Sequence, residues 1–155
     1  MGSRKHTLSL VAGLLIGSLS MATPMPAAAV DWLKPKTDDD LLPADEAIQV
    51  QAAVWQNGEL SVGLEAAKGV YVYRDKLSLE ALQPASARLG KLKLPDGEPH
   101  HDDHFGDVRV LRGSVLARAA VANAPQQVRV RYQGCAENRV CYPPQTRILT
   151  VEKLN

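Results

Sequence analysis

Apolar and polar residues alternate along much of the chain beyond residue 47. Ile48, Val50, Ala52 and Val54 are separated by polar or small residues, and Leu60, Val62 and Leu64 repeat the pattern after Gln56-Asn57-Gly58. A period of two places one set of side chains on a single face of a strand, and Asn-Gly between two such runs predicts a hairpin. After the turn Ala67-Lys68-Gly69, the β-branched and aromatic run Val70-Tyr71-Val72-Tyr73-Arg74 predicts a strand with both tyrosines on one face. Residues 108–111, 114–121, 127–132 and 146–152 predict further strands. Leu77, Leu79 and Leu82 either extend the tyrosine strand or form a short irregular segment before Pro84. Residues 89–94 alternate poorly, Pro95-Asp96-Gly97 is a turn, and residues 100–106 predict a polar loop with an exposed Phe105. Pro43-Ala44-Asp45-Glu46-Ala47 suggests a single helical turn with proline near its start.

No long stretch carries a helical period. Roughly eight short strands between Gly, Pro, Asn and Asp turns predict an all-β fold, an immunoglobulin-like antiparallel β-sandwich. Neither an internal repeat nor a second domain is evident.

The opening of the chain follows other rules. Arg4, Lys5 and His6 precede an apolar run dotted with Gly and Ser, and Ala27-Ala28-Ala29 offers a cleavage site. That pattern predicts a signal peptide over residues 1–29. A flexible lead-in would follow at 30–41, where Trp32 and Leu33 are candidates to pack, and one domain at 42–155. Cleavage lowers the Lys+Arg count from 18 to 16 against 17 acidic residues, a net charge of −1. Such a balance argues against nucleic-acid or anionic-membrane binding. Export places the protein in an oxidising compartment, where a disulfide persists.

The two cysteines, Cys135 and Cys141, share one stretch, with Gly134 loosening the backbone before the first and Pro143-Pro144 stiffening the exit. Closing a loop of about seven residues is worth only roughly 2 kcal/mol in the chain-entropy model. Two readings stay open on spacing alone: a dithiol that cycles, or a structural staple in a non-catalytic adaptor module. The cluster His100, His101, Asp102, Asp103 and His104 admits a metal reading, but no further ligand group is evident, and none is assigned.

The stretch Val130-Arg131-Tyr132-Gln133-Gly134-Cys135-Ala136, followed by Cys141-Tyr142-Pro143-Pro144, resembles the active-site motif of the N-terminal periplasmic domain of DsbD, a thiol:disulfide interchange protein. Gly69-Val70-Tyr71-Val72-Tyr73-Arg74 is similar to that family's tyrosine strand, His101-Asp102-Asp103-His104-Phe105 to its cap loop, and Leu42-Pro43-Ala44-Asp45-Glu46-Ala47 to its opening. The resemblance covers about residues 41–152. It implies a protein-disulfide reductase or interchange activity without a bound cofactor, the electrons residing in the cysteine pair. Cys141 would attack a partner's disulfide and Cys135 would resolve the mixed intermediate. Phe105 would be the cap, and Tyr71, Tyr73 and Asp103 would line the site with His104, which stands where the family usually has an acid. The implied partners of this monomer are thioredoxin-fold periplasmic proteins: isomerases of DsbC and DsbG type and the cytochrome c maturation thioredoxin. The family's membrane channel and C-terminal thioredoxin-like domain do not follow in this sequence, which leaves two readings: a freestanding domain served by a separate membrane donor of DsbD or CcdA type, or a domain excised from a longer chain.

Overall fold

The alternating runs pair into two sheets packed face to face. The computed structural model describes residues 41–84 and 86–154. The expected signal peptide and all of the lead-in but Leu41, with the packing expected of Trp32 and Leu33, lie outside them. A helical turn, α1 (Ala44–Ala47), leads into β1 (Ile48–Gln56), β2 (Glu59–Ala66) and β3 (Val70–Tyr73), and a 3-10 turn follows at Arg74–Lys76. Then come β4 (Ser78–Gln83), β5 (Glu98–Asp102), β6 (Gly106–Arg112), β7 (Ser114–Ala120), β8 (Gln127–Tyr132), β9 (Gly134–Ala136), β10 (Val140–Cys141) and β11 (Gln145–Lys153). One sheet has six strands in the order β4-β8-β11-β1-β2-β7, and the other has five in the order β10-β9-β3-β6-β5. Neighbours pair antiparallel except β1 and β11, which run parallel. This is the predicted immunoglobulin-like sandwich.

The core lies between the sheets. Ile48, Leu60, Val62 and Leu64 from β1 and β2 meet Val128, Val130 and Tyr132 from β8 and Val70 and Val72 from β3. Burying such side chains contributes roughly 1.5–3 kcal/mol each, the main driving force of the fold. The Asn57-Gly58 turn forms as predicted, with both residues at positive φ.

Two expectations change. The regular alternation read in β1 breaks at a bulge between Val50 and Ala53, so Ala53 is buried while Ala52 is exposed. One extra residue shifts the inward phase by one, as a bulge must. The polar loop expected at residues 100–106 is a hairpin, with β5 and β6 paired from Glu98↔Val110 to Asp102↔Gly106 and a tight turn at 103–105. β5 is the edge of the five-stranded sheet, where solvent accepts polar side chains and the usual apolar signal is missing. The weakly alternating 89–94 segment forms no strand beyond an isolated bridge, Lys93↔Arg118, and packs Leu89, Leu92 and Leu94 against the core.

Candidate active site

β3 is buried on both faces, and that divides the molecule's apolar interior in two. Val70 and Val72 point into the sandwich core, while Tyr71 and Tyr73 join Val110 and Cys135 in a second cluster on the other face of the five-stranded sheet. Strand register then brings the cysteines to the tyrosines. Tyr71 lies opposite Cys135 on β9, and Cys135 lies opposite Cys141 on β10. The cysteines form a disulfide with Cα atoms 3.9 Å apart. Gly134 permits this approach: a Cβ there would collide with the Tyr71 carbonyl oxygen and come within 2.7 Å of Ile48 Cδ1. The Tyr142 N–H donates to the Gly134 carbonyl at 2.9 Å and closes the hairpin behind the pair.

The two sulfur-bearing residues differ in access. Cys135 is 2% exposed, whereas Cys141 is at the surface. A cleft of about 460 Å³, lined by Tyr71, residues 100–104 and residues 135–141, opens onto the disulfide.

One buried carboxylate organises this cluster. Asp102, 6% exposed, accepts from the Tyr73 hydroxyl at 2.5 Å and from the Tyr71 hydroxyl at 3.3 Å through Oδ2. Its Oδ1 accepts the backbone N–H groups of His104 and Phe105 at 2.8 and 3.0 Å, fixing the turn between β5 and β6. Hydrogen bonds to the charged form favour it. The Tyr73 hydroxyl foremost, then the His104 and Phe105 amides and Tyr71, outweigh burial and hold the Asp102 carboxyl down to about 2. The tyrosines move the other way. Burial first, then their hydrogen bonds and the nearby carboxylate, push Tyr73 well above the usual phenol range. Burial is again the first cause for Tyr71, which is also raised.

The Tyr73 oxygen lies 3.0 Å from Cys135 Sγ and 3.8 Å from Cys141 Sγ. It therefore connects the carboxylate to the sulfurs. With its one proton given to Asp102, that oxygen is left as an acceptor, a partner suited to a thiol rather than a thiolate.

Phe105 packs edge-on against Tyr73, with ring centroids 5.1 Å apart, and the Lys76 ammonium lies 4.7 Å from its centroid. It remains 43% exposed. Asp103 and His104 sit exposed in the same turn and line the cleft. Thus the structure gathers Cys135, Cys141, Tyr71, Tyr73, Phe105, Asp103 and His104 at one end of the smaller sheet. The carboxylate in contact with the tyrosines is Asp102, whereas the sequence reading placed its neighbour Asp103, not Asp102, among the lining residues. The usable signal was period two: once 98–102 is a strand, Asp102 shares a face with His100, whose ring lies tilted against Tyr71 with centroids 4.7 Å apart. Asp102, Cys135 and Cys141 bring their ligand atoms within 4.8 Å of one another. Asp102 already accepts four hydrogen bonds, so its oxygens are committed to the protein.

An immunoglobulin-like sandwich with a cross-strand disulfide, one cysteine buried under tyrosines and one open to solvent, defines the class. The family model of the N-terminal domain of the thiol:disulfide interchange protein DsbD matches residues 38–153, and the chain belongs to that family. It is 35% identical over 146 residues to the thiol:disulfide interchange protein DsbD 2 of Pseudomonas aeruginosa, covering 93% of this chain and 23% of that protein. To the DsbD of Vibrio cholerae it is 33% identical over 121 residues, covering 77% of this chain and 20% of that protein. The chain thus spans less than a quarter of these relatives' length. Among solved structures, the reduced N-terminal domain of DsbD from Neisseria meningitidis superposes with a TM-score of 0.63 at 29% identity, covering 74% of this chain and 92% of that one. A complex of the DsbD and PilB N-terminal domains from the same organism matches with a TM-score of 0.61 at 29% identity, covering 72% of this chain and 88% of that one.

Proposed function

We propose that this protein is a periplasmic thiol–disulfide exchange module that passes reducing equivalents from its Cys135/Cys141 dithiol to a thioredoxin-fold protein. The observation that carries this is the asymmetry of the pair: Cys141 is exposed at the cleft and Cys135 is buried beneath Tyr73. In the reduced protein the Cys141 thiolate attacks one sulfur of the partner's disulfide. A mixed disulfide forms and the partner's other sulfur leaves as a thiolate. Cys135 then loses its proton and attacks Cys141, which releases the partner as a dithiol and leaves Cys135 and Cys141 oxidised. Two electrons and two protons pass to the partner, and no cofactor takes part.

The anionic Asp102 disfavours a second negative charge at the adjacent sulfurs, so the resting dithiol is held in its thiol form. A partner that covers the cleft and brings a positive or hydrogen-bonding group offsets that penalty. Tyr71 and Tyr73 cover Cys135 and keep stray thiols from it, Phe105 caps Tyr73, and Asp103 and His104 stand at the rim of the cleft through which Cys141 is reached. The complex of the related Neisseria domain with a PilB domain supports a protein partner for this domain. Isomerases of DsbC or DsbG type and a cytochrome c maturation thioredoxin fit as acceptors, and a membrane protein of DsbD or CcdA type as donor.

The test uses one substitution at each sulfur and an oxidised thioredoxin-fold acceptor. Cys141→Ser abolishes exchange, whereas Cys135→Ser accumulates the mixed disulfide, visible on non-reducing gels and by mass spectrometry. Unchanged exchange in both variants with a lowered Tm would instead mark a structural staple and overturn the proposal.

A further inference from the structure

Arg112 lies outside the cysteine and tyrosine cluster, yet it is bound to the hairpin that carries both cysteines. It stands on β6 directly opposite Tyr71, which stands opposite Cys135, which stands opposite Cys141. The four residues therefore form one transverse row across β6, β3, β9 and β10. From the end of that row the guanidinium lies 5.2 Å from the Tyr71 ring centroid and reaches past it to Glu137. Its Nη2 donates to Glu137 Oε1 at 2.9 Å and its Nη1 to Glu137 Oε2 at 3.3 Å, a forked pair. The remaining Nε donates to Glu98 Oε2 on β5 at 3.2 Å. Glu137 begins the turn between β9 and β10, and its backbone N–H is held by the Gly69 carbonyl at 2.8 Å.

The consequence follows from where the restraints on that hairpin lie. β10 has two residues and lies at the edge of the sheet, paired only to β9. While the disulfide is intact, the bond itself fixes Cys141 against Cys135. Once it is reduced, register depends on the short ladder, on Tyr142, whose buried ring packs in the main core with its hydroxyl donating to the Leu42 carbonyl at 2.8 Å and its N–H to Gly134, and on whatever restrains the turn on the other side of Cys141. A planar guanidinium half-covered by an aromatic ring and gripping a carboxylate with two donors is a strong restraint.

We infer that Arg112 is a positioning residue for the cysteine pair, and that its forked pair with Glu137 keeps Cys141 within reach of Cys135 in the dithiol. This inference rests on the exchange reading above. By linkage, a restraint that favours proximity of the sulfurs favours the disulfide. Removing it lowers the effective concentration of one thiol at the other and makes the disulfide easier to reduce.

The experiment measures the equilibrium constant for exchange of the mature protein with glutathione, together with the rate of transfer to an oxidised thioredoxin-fold acceptor. Arg112→Ala and Glu137→Gln each shift the equilibrium toward the dithiol by about five- to tenfold, the larger value corresponding to about 30 mV. The double variant shifts no further than Arg112→Ala alone, because Glu137→Gln deletes a pair that Arg112→Ala has already removed. Arg112→Lys, which keeps the charge but loses the fork, recovers only part of the shift. Arg129→Ala deletes the ion pair with Glu80 on the other sheet and leaves the equilibrium unchanged. If Arg112→Ala fails to fold, Glu137→Gln carries the test by itself. An equilibrium constant within twofold of the parent in both Glu137→Gln and any folded Arg112 variant, or full recovery by lysine, overturns the inference while leaving exchange standing. Absence of transfer in the parent protein itself would overturn the exchange reading, and this inference with it.

Discussion

Asp102 is the residue on which the site's electrostatics turn. Its carboxyl is held at about 2, below the ordinary value of 3.8, chiefly by the Tyr73 hydroxyl. A depressed pKa in the folded state means that Asp102 contributes stability in full above about pH 4 and loses it as the pH falls toward 2. The contribution is on the order of 2 kcal/mol. Urea melts of the parent between pH 6 and 2 should show this decline, and Asp102→Asn should be less stable at pH 6 and flatter below pH 4. Tyr73→Phe removes the closest donor to that carboxylate and the oxygen beside Cys135. We expect a loss of about 1–3 kcal/mol, the cost of leaving a buried acceptor short of a partner, and a higher Asp102 pKa by carboxyl-carbon NMR. At this scale the sequence was only partly legible. The cysteines and tyrosines stand out by type, but choosing Asp102 over Asp103 requires the phase of β5. The roles of Arg112 and Glu137 come from register alone, since β6 and the cysteine turn are far apart in sequence.

Among the elements, β9 is the shortest bridge between core and chemistry. It pairs with β3 on one side and β10 on the other, and Gly134 lets it approach Tyr71 and Ile48. Gly134→Ala should cost about 3 kcal/mol by overpacking and should disturb exchange beyond its effect on stability. A chemical melt paired with transfer kinetics under native conditions checks both. The strongly alternating strands β2, β7 and β8 were legible because one face is apolar along their whole length, and β3, buried on both faces, by its β-branched and aromatic composition. β5, β9 and β10 were not. Two of them are sheet edges, where solvent removes the apolar signal, and β9 has only three residues around a glycine. The β1 bulge was hidden for a related reason: Ala52 and Ala53 are equally acceptable inside, so only pairing with β2 decides which turns inward.

For the molecule as a whole, the larger sheet and the interface between the sheets supply the stability, and the disulfide sits on the outer face of the smaller sheet. The pair spans six positions in sequence, so its loss costs only about 2 kcal/mol of chain entropy. Reduction should therefore leave the fold intact and lower Tm by roughly 8 °C for a domain of this size. Calorimetry with and without reductant tests this, and collapse of the cooperative transition on reduction would point to a staple. The related Neisseria domain in its reduced form keeps the same architecture. The central claim, that the pair is built to cycle, is tested most directly by its reduction potential. The protein is equilibrated in graded thiol buffers, and its free thiols are counted by alkylation and mass spectrometry. The account predicts a value between about −180 and −270 mV, the range of exchange proteins. A value below about −300 mV would mark a disulfide that the thiol pool cannot reduce, and would contradict it.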